Sequence, residues 1–249
     1  MALMATRRVM SAARFESKAT ACQHAWDLLA DQGLARFPFP PHGRIPNFKG
    51  ARTAAERLFR EAPWVDASAI KVNPDSPQKW VRQRALELGI RVYVPTPKLA
   101  GGFHLLDPEL IPPQCYGDAA TLKTMTRFSV DVTLAALPQV DAMVSGCAAV
   151  TRTGKRCGKG AGYSDIEYAL LLELGHEPVP VATTVHDVQV VDDFPVMSND
   201  LPLALIATPT QTIRVARALT APSGIDWSAI DAKTVDAMPP LQELLDNGG

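Results

Sequence analysis

The sequence predicts an α/β fold, a mostly parallel sheet with helices on both faces, and three observations predict it. Of the 249 residues, 47% are apolar, enough for one substantial core. Short apolar segments alternate with helical ones through the body of the chain. The apolar segments are near-continuous and end in turn signals, the pattern of strands covered on both sides.

Residues 1–16 lack a sustained period and are expected to form a flexible lead-in. Within residues 17–32, Ala21, Ala25, Leu28 and Leu29 recur at helical spacing, and Gly33 ends that helix. Residues 37–48 contain four prolines and predict an ordered crossing loop, because each proline lacks a donor and restricts its predecessor. A second helix is predicted over residues 51–60. Buried strands are predicted at 69–72, 91–94, 140–145 and 203–207, with one or two more within 179–191. The helices between them fall at 77–88, 119–127, 130–137 and 164–174. The α/β domain is expected to run from 17 to 218. Residues 219–249 turn polar, with a short amphipathic piece at 241–245, and are expected to form a weakly docked tail.

Charge and cysteine content narrow the function. A formal net charge of -1 creates no broad field to draw the protein onto nucleic acid or an anionic membrane, so an anion has to be captured locally. The cysteines Cys22, Cys115, Cys147 and Cys157 are widely spaced, without a Cys-x-x-Cys pair. That argues against zinc and against a disulfide framework, and a reducing, cytoplasmic setting is expected. Arg7 and Arg8 are followed by polar residues rather than an apolar run, so no secretory signal is expected, nor a membrane span. The five histidines show no metal-ligand interval. Lys79, Arg82 and Arg84 read as a solvated helix face, and Trp26, Trp64 and Trp80 as packing residues. His186-Asp187 follows a predicted strand and reads equally as a crevice edge or a polar turn.

The segment Gly154-Lys155-Arg156-Cys157-Gly158-Lys159-Gly160-Ala161-Gly162-Tyr163-Ser164-Asp165 places glycines and cations ahead of a strongly helical run. Glycines let successive amides turn toward an anion, Lys155, Arg156 and Lys159 can offset its charge, and the helix start adds unpaired donors. The same stretch also reads as a solvated turn between strand and helix. It is neither a Walker loop nor a dinucleotide fingerprint.

Residues 158–165 resemble the Gly-x-Gly-Gly-Gly-Tyr-Tyr-Asp-Arg loop of the 5-formyltetrahydrofolate cyclo-ligase family. The resemblance extends upstream through 141–154 and downstream through Gln189, Ser198-Asn199-Asp200 and 205–208, covering roughly residues 17–209. The stretches 44–51 and 183–187 are similar to a divergent branch, the methenyltetrahydrofolate synthase domain-containing proteins. The resemblance implies a Rossmann-like three-layer sandwich related to the sugar-phosphate isomerase and CoA-transferase folds. It also implies an ATP- and Mg2+-dependent ligase of one-carbon metabolism, in which the formyl oxygen of 5-formyltetrahydrofolate is phosphorylated and ring closure gives 5,10-methenyltetrahydrofolate. Its partner would be a reduced folate, and the protein a monomer or homodimer.

Carried over residue by residue, the resemblance has Gly158, Gly160, Ala161, Gly162 and Tyr163 wrap the triphosphate, with Lys18, Lys155, Arg156 and Lys159 around it. Tyr163, Arg156 and Asp165 are the candidate catalytic groups, and Asp165 the candidate magnesium ligand. Asp75, His186 and Asp187 are the candidate substrate contacts. Three positions depart from the pattern: Ser164 replaces the second loop tyrosine, Ile166 the arginine after the aspartate, and Cys22 an arginine four residues after Lys18. Arg44, Lys49 and Arg52 are candidates to compensate. The departures leave a second reading open, a non-catalytic nucleotide- or folate-binding module.

Overall fold

The computed structural model describes residues 14–160, 162–216 and 219–247, so Ala161 and most of the expected lead-in lie outside the described residues. The chain begins with α1 (Lys18–Asp31), β1 (Ala35–Arg36), β2 (Asn47–Phe48) and α2 (Ala51–Leu58). Next come β3 (Ala69–Val72), α3 (Lys79–Glu87), β4 (Arg91–Pro95), β5 (Phe103–Leu106), α4 (Tyr116–Ala119) and β6 (Val130–Val132). The segment that carries the glycine loop holds β7 (Ala142–Val144), β8 (Ala149–Thr151), β9 (Arg156–Cys157) and α5 (Tyr163–Glu173). The chain closes with β10 (Val181–Thr184), β11 (Val190–Val191), β12 (Leu205–Ala207), β13 (Thr212–Arg214), α6 (Ala232–Ala237) and α7 (Pro239–Asn247).

Eight strands form the central sheet in the order β13-β12-β10-β7-β3-β4-β5-β6. The run from β12 to β4 is parallel, whereas β13, β5 and β6 join antiparallel at the edges. Side-chain alternation sends the two faces of each strand into different cores. On one face Ile70, Val72, Val92, Val94, Ala142 and Val144 pack against Leu58 of α2 and Val81, Ala85 and Leu86 of α3. On the other, Tyr93, Met143, Val181 and Ile206 meet Tyr168, Leu170 and Leu171 of α5. The expected mostly parallel, helix-covered sheet is thus the observed architecture.

Two predicted helices are replaced by other structure. Residues 119–127 hold the end of α4 and a 3-10 turn at Met125–Arg127, and residues 130–137 hold β6 and a 3-10 turn at Leu134–Ala136. The β-branched residues Val130 and Val132 pair with β5, whose open edge decides the conformation of a short apolar run that periodicity leaves ambiguous. The expected weakly docked tail instead sends Met238 and Leu241 fully into the second core, and α7 lies against the turn Pro97–Leu99. In that turn both Lys98 and Leu99 take φ 56, a left-handed conformation uncommon outside glycine, and Leu99 is buried.

A buried polar chain fastens α5 to the sheet. Lys71 projects from β3 toward α5 and pairs with Glu167, both buried, and its ammonium also donates to Asn73 Oδ1 at 3.0 Å. Asn73 Nδ2 donates to Ser164 Oγ at 2.9 Å. Behind Asn73, the fully buried Arg82 donates to the Asn73 carbonyl at 2.6 Å and to the Ala120 carbonyl at 2.9 Å. Burial pulls the Arg82 pKa down to about 10, so it stays charged at neutral pH. Lys71→Met leaves the Glu167 carboxylate buried without its partner and should cost about 3 to 5 kcal/mol. A Lys71→Met, Glu167→Leu double variant should recover much of that loss. Urea unfolding checks both, and a parental midpoint for Lys71→Met would show that the pair does not hold α5.

Candidate active site

The glycine loop reaches the carboxyl edge of the sheet through an insertion. After β7 the chain forms β8 and β9, which β11 later joins in a small sheet of order β11-β8-β9, and from β9 it enters residues 158–162 and α5. α1 packs on this small sheet through Ala21, Cys22 and Ala25, against Ala148, Ala149 and Cys157. Its start is fixed by Ser17, whose hydroxyl accepts from the Thr20 amide while Thr20 returns a bond to the Ser17 amide. Contrary to the expectation of unpaired thiols, Cys22 and Cys157 meet as a disulfide across a sequence separation of 135, with Cα atoms 6.8 Å apart. Residues this distant in sequence give no spacing signal for such a pair.

The loop has the backbone an anion site needs. Gly160 and Gly162 have φ +99 and +65, and a Cβ at either would meet nothing within 4 Å, so both border open space. Gly162 caps α5 without a side-chain acceptor, and its carbonyl takes the Asp165 and Ile166 amides. The Tyr163 and Ser164 amides, just before them in the same first turn, have no partner among the described residues. These donors, with the positive end of the α5 dipole, suit phosphate oxygens.

Most of the surrounding cations are already paired. Lys18 pairs with Asp200, and Lys155 pairs with Asp193 at 2.6 Å while donating to the Phe194 carbonyl at 3.0 Å. Arg156 is buried, and its Nη1 donates to Asp165 Oδ1 at 2.5 Å. Burial opposes the Arg156 charge, but Asp165, Cys147 and Asp200 outweigh it and raise its pKa. Its Nε is buried without a partner among the described residues. The same Asp165 oxygen also accepts the Leu201 amide at 2.9 Å. Lys159 is exposed on the loop and forms no ion pair among the described residues.

Asp75 lies in the turn between β3 and α3. Burial pushes its carboxyl above the ordinary value, while the charges of Lys159 and Arg82 pull it back, so the loop lysine is felt at this turn. The end of β7 closes on this turn at Gly146, where a Cβ would lie 2.7 Å from Asp75 Oδ2 and 3.1 Å from Gln78 Oε1. Gln78 is fully buried, and its Oε1 has no partner among the described residues.

His186 and Asp187 lie past the end of β10, as the sequence led us to expect, but both are engaged. His186 Nδ1 accepts the Val188 amide at 3.3 Å, and its pKa is lowered by burial and by Lys49. Asp187 accepts from Thr208 at 2.6 Å and Thr210 at 2.5 Å. Those bonds, aided by Gln211 and His186, outweigh the effect of burial and lower its pKa. This pair braces the turn between β12 and β13.

Lys71, Asn73, Gln78, Gly146 and Glu167 are the site residues that sequence reasoning passed over. A charge inside the apolar strand Ala-Ile-Lys-Val and another inside the apolar run Ile-Glu-Tyr-Ala-Leu-Leu were the available signals for Lys71 and Glu167. Among the described residues no group of three or more His, Cys, Asp or Glu side chains could hold a metal ion, and no helix is long and apolar enough to cross a membrane.

The chain is 40% identical over 237 residues to a methenyltetrahydrofolate synthase domain-containing protein of Mus musculus, covering 92% of this chain and 63% of the mouse protein. Its counterpart in Bos taurus is 41% identical over 237 residues, covering 92% of this chain and 62% of the relative. The chain thus spans less than two thirds of the length of these relatives. The solution structure of a 5,10-methenyltetrahydrofolate synthetase from Aquifex aeolicus superposes with TM-score 0.51 at 13% identity, covering 82% of this chain and 96% of that one, which shows the shared fold. A sequence model of the 5-formyltetrahydrofolate cyclo-ligase family matches residues 2–209. With that match spanning seven of the eight strands of the central sheet, the glycine loop and the Asp75 turn, the chain belongs to the 5-formyltetrahydrofolate cyclo-ligase family.

Proposed function

We infer that this chain is an ATP- and magnesium-dependent cyclo-ligase that converts 5-formyltetrahydrofolate, or a related formylated pterin, to the 5,10-methenyl form. The observation that carries the reading is the loop opening α5: amides at Tyr163 and Ser164 without a partner among the described residues, two left-handed glycines bordering open space, and the exposed Lys159 between them and β9. Bound ATP with magnesium would supply the phosphoryl group that makes the formyl oxygen a leaving group.

The chain's own residues do the positioning, which is most of the work in phosphoryl transfer. Gly158, Gly160 and Gly162 let the backbone approach the triphosphate, and Lys159 reaches it first. Arg156 stands behind the loop, held in place by Asp165. The second carboxylate oxygen of Asp165 has no hydrogen bond among the described residues and would orient a water of the metal. Lys18 and Lys155 hold the loop walls through Asp200 and Asp193. Tyr163, the first residue of α5, would border the bound phosphates, and Asp75, His186 and Asp187 would contact the acceptor.

One observation favours a second reading, a nucleotide- or folate-binding module without turnover: Lys18, Lys155 and Arg156 are each neutralised by an aspartate already. The two readings separate on incubation of the protein with 5-formyltetrahydrofolate and magnesium-ATP. Growth of the methenyl absorbance is expected. Calorimetric ATP binding with no such growth at high protein concentration would select the module.

Calorimetry also addresses the loop itself. Gly160→Trp fills the space beside the unpaired amides and should abolish ATP binding, while Lys159→Ala should weaken it about tenfold or more through loss of a charge-assisted contact. Parental affinity in Gly160→Trp would reject the loop as the nucleotide site. A further expectation concerns pH. The folded state holds the Asp75 proton more tightly than the unfolded chain, so its ionisation costs stability as pH rises through the raised folded pKa. Asp75→Asn should therefore be more stable than the parent at pH 8, with the difference shrinking toward pH 4. Parallel stability curves would show that Asp75 ionises without penalty.

A further inference from the structure

Position 22 departs from the pattern the family resemblance implies, and the structure gives the departure a partner. Cys22 lies on α1, one turn beyond Lys18, and Cys157 ends β9 immediately before Gly158. The two are joined across the sequence, and Cys22 Sγ also lies 3.4 Å from the Gly158 carbonyl oxygen. The junction sits between two ion pairs that fix the walls of the loop, Lys18 with Asp200 and Arg156 with Asp165. A link at this point ties the first residue of the phosphate loop to a long, well-capped helix.

We propose that Cys22 and Cys157 form a reversible disulfide site that exchanges with small-molecule disulfides and sets how firmly the glycine loop is held. The other thiols do not compete for it. Cys115 and Cys147 are unpaired, and Cys147 is buried against Thr183 and Arg156, with burial raising its pKa and disfavouring the reactive thiolate. Closure proceeds by two exchanges. The Cys22 thiolate attacks one sulfur of a small disulfide such as oxidised glutathione, forming a mixed disulfide and releasing one small thiolate. The Cys157 thiolate then attacks Cys22 Sγ, forms the protein disulfide and releases the second. Two electrons pass from the cysteine pair to the small disulfide, and the protons lost by the cysteines are taken up by the released thiolates. Both cysteines are buried, at 5% and 3% exposure, so exchange requires the loop to open. A Cβ at Gly160 or Gly162 would meet nothing within 4 Å, which leaves room for that motion.

The consequence for ATP rests on the functional reading above: a pinned loop loses less freedom on binding, so the oxidised chain binds ATP several-fold more tightly than the reduced one. The test treats the full chain with glutathione buffers of increasing oxidant, alkylates the remaining thiols and maps the peptides. A peptide pair linked through Cys22 and Cys157 is expected in oxidising buffer, lost with dithiothreitol and restored on reoxidation. In the same samples, amide exchange at Gly158, Lys159 and Gly160 should slow about tenfold on oxidation. Cys22→Ser should remove both effects, and Cys115→Ser neither. Absence of the linked pair, or a linked pair with unchanged loop exchange, would overturn the proposal. If ATP binds neither form while the linkage and the exchange change persist, the functional reading fails and the disulfide site stands.

Discussion

The Lys71–Glu167 pair decides where the glycine loop can be. A strand buried on both faces gains most from apolar side chains, yet β3 points an ammonium at α5, and α5 answers with a carboxylate. Burying both charges costs several kcal/mol per ion before their attraction repays it, so the arrangement is tolerated only with good geometry and further hydrogen bonds. Asn73 supplies them, joining the pair to Ser164 in the first turn of α5 and to the fully buried Arg82 on the far side of the sheet. The helix start that presents the unpaired amides is thereby registered against the carboxyl ends of β3 and β7. Ser164, a departure from the loop pattern, is the residue that takes the Asn73 bond.

The electrostatics around the loop follow from economy of charge. A chain with nearly balanced charge has no surplus field with which to collect an anion, and much of the positive charge near this loop is spent on structure. Lys18, Lys155 and Arg156 each hold an aspartate and brace the walls, which leaves backbone donors and the exposed Lys159 on the loop. An anion there is met mainly by oriented dipoles, whose preorganisation needs no ion pair to be broken first.

What could be read from sequence follows the range of the forces involved. The parallel core was legible because β3, β7 and β12 are short apolar runs with turn signals, whereas the glycines and cations before α5 marked a strand-to-helix turn without deciding between an anion site and a solvated loop. β5 and β6 were not legible, since antiparallel edge strands joined by a long connection depend on a partner strand that local periodicity does not show. Gln78 and Gly146 were hidden for a related reason: their roles exist only once the β3 turn and the end of β7 are brought together. His186 and Asp187 follow the end of β10, but their bonds to Val188, Thr208 and Thr210 are contacts that no motif announces.

The C-terminal helix has a meaning for how the domain should be delimited. Two successive non-glycine residues in the left-handed region, Lys98 and Leu99, hold conformational energy that the chain would release if it could. Leu99 is kept there by burial in the same core that receives Met238 and Leu241 from beyond the family's matched stretch. The matched stretch is therefore shorter than the cooperative unit. A fragment trimmed at residue 209 would bare an apolar trough on the α5 face and let the turn beside it relax, so the packed core reaches at least as far as α7.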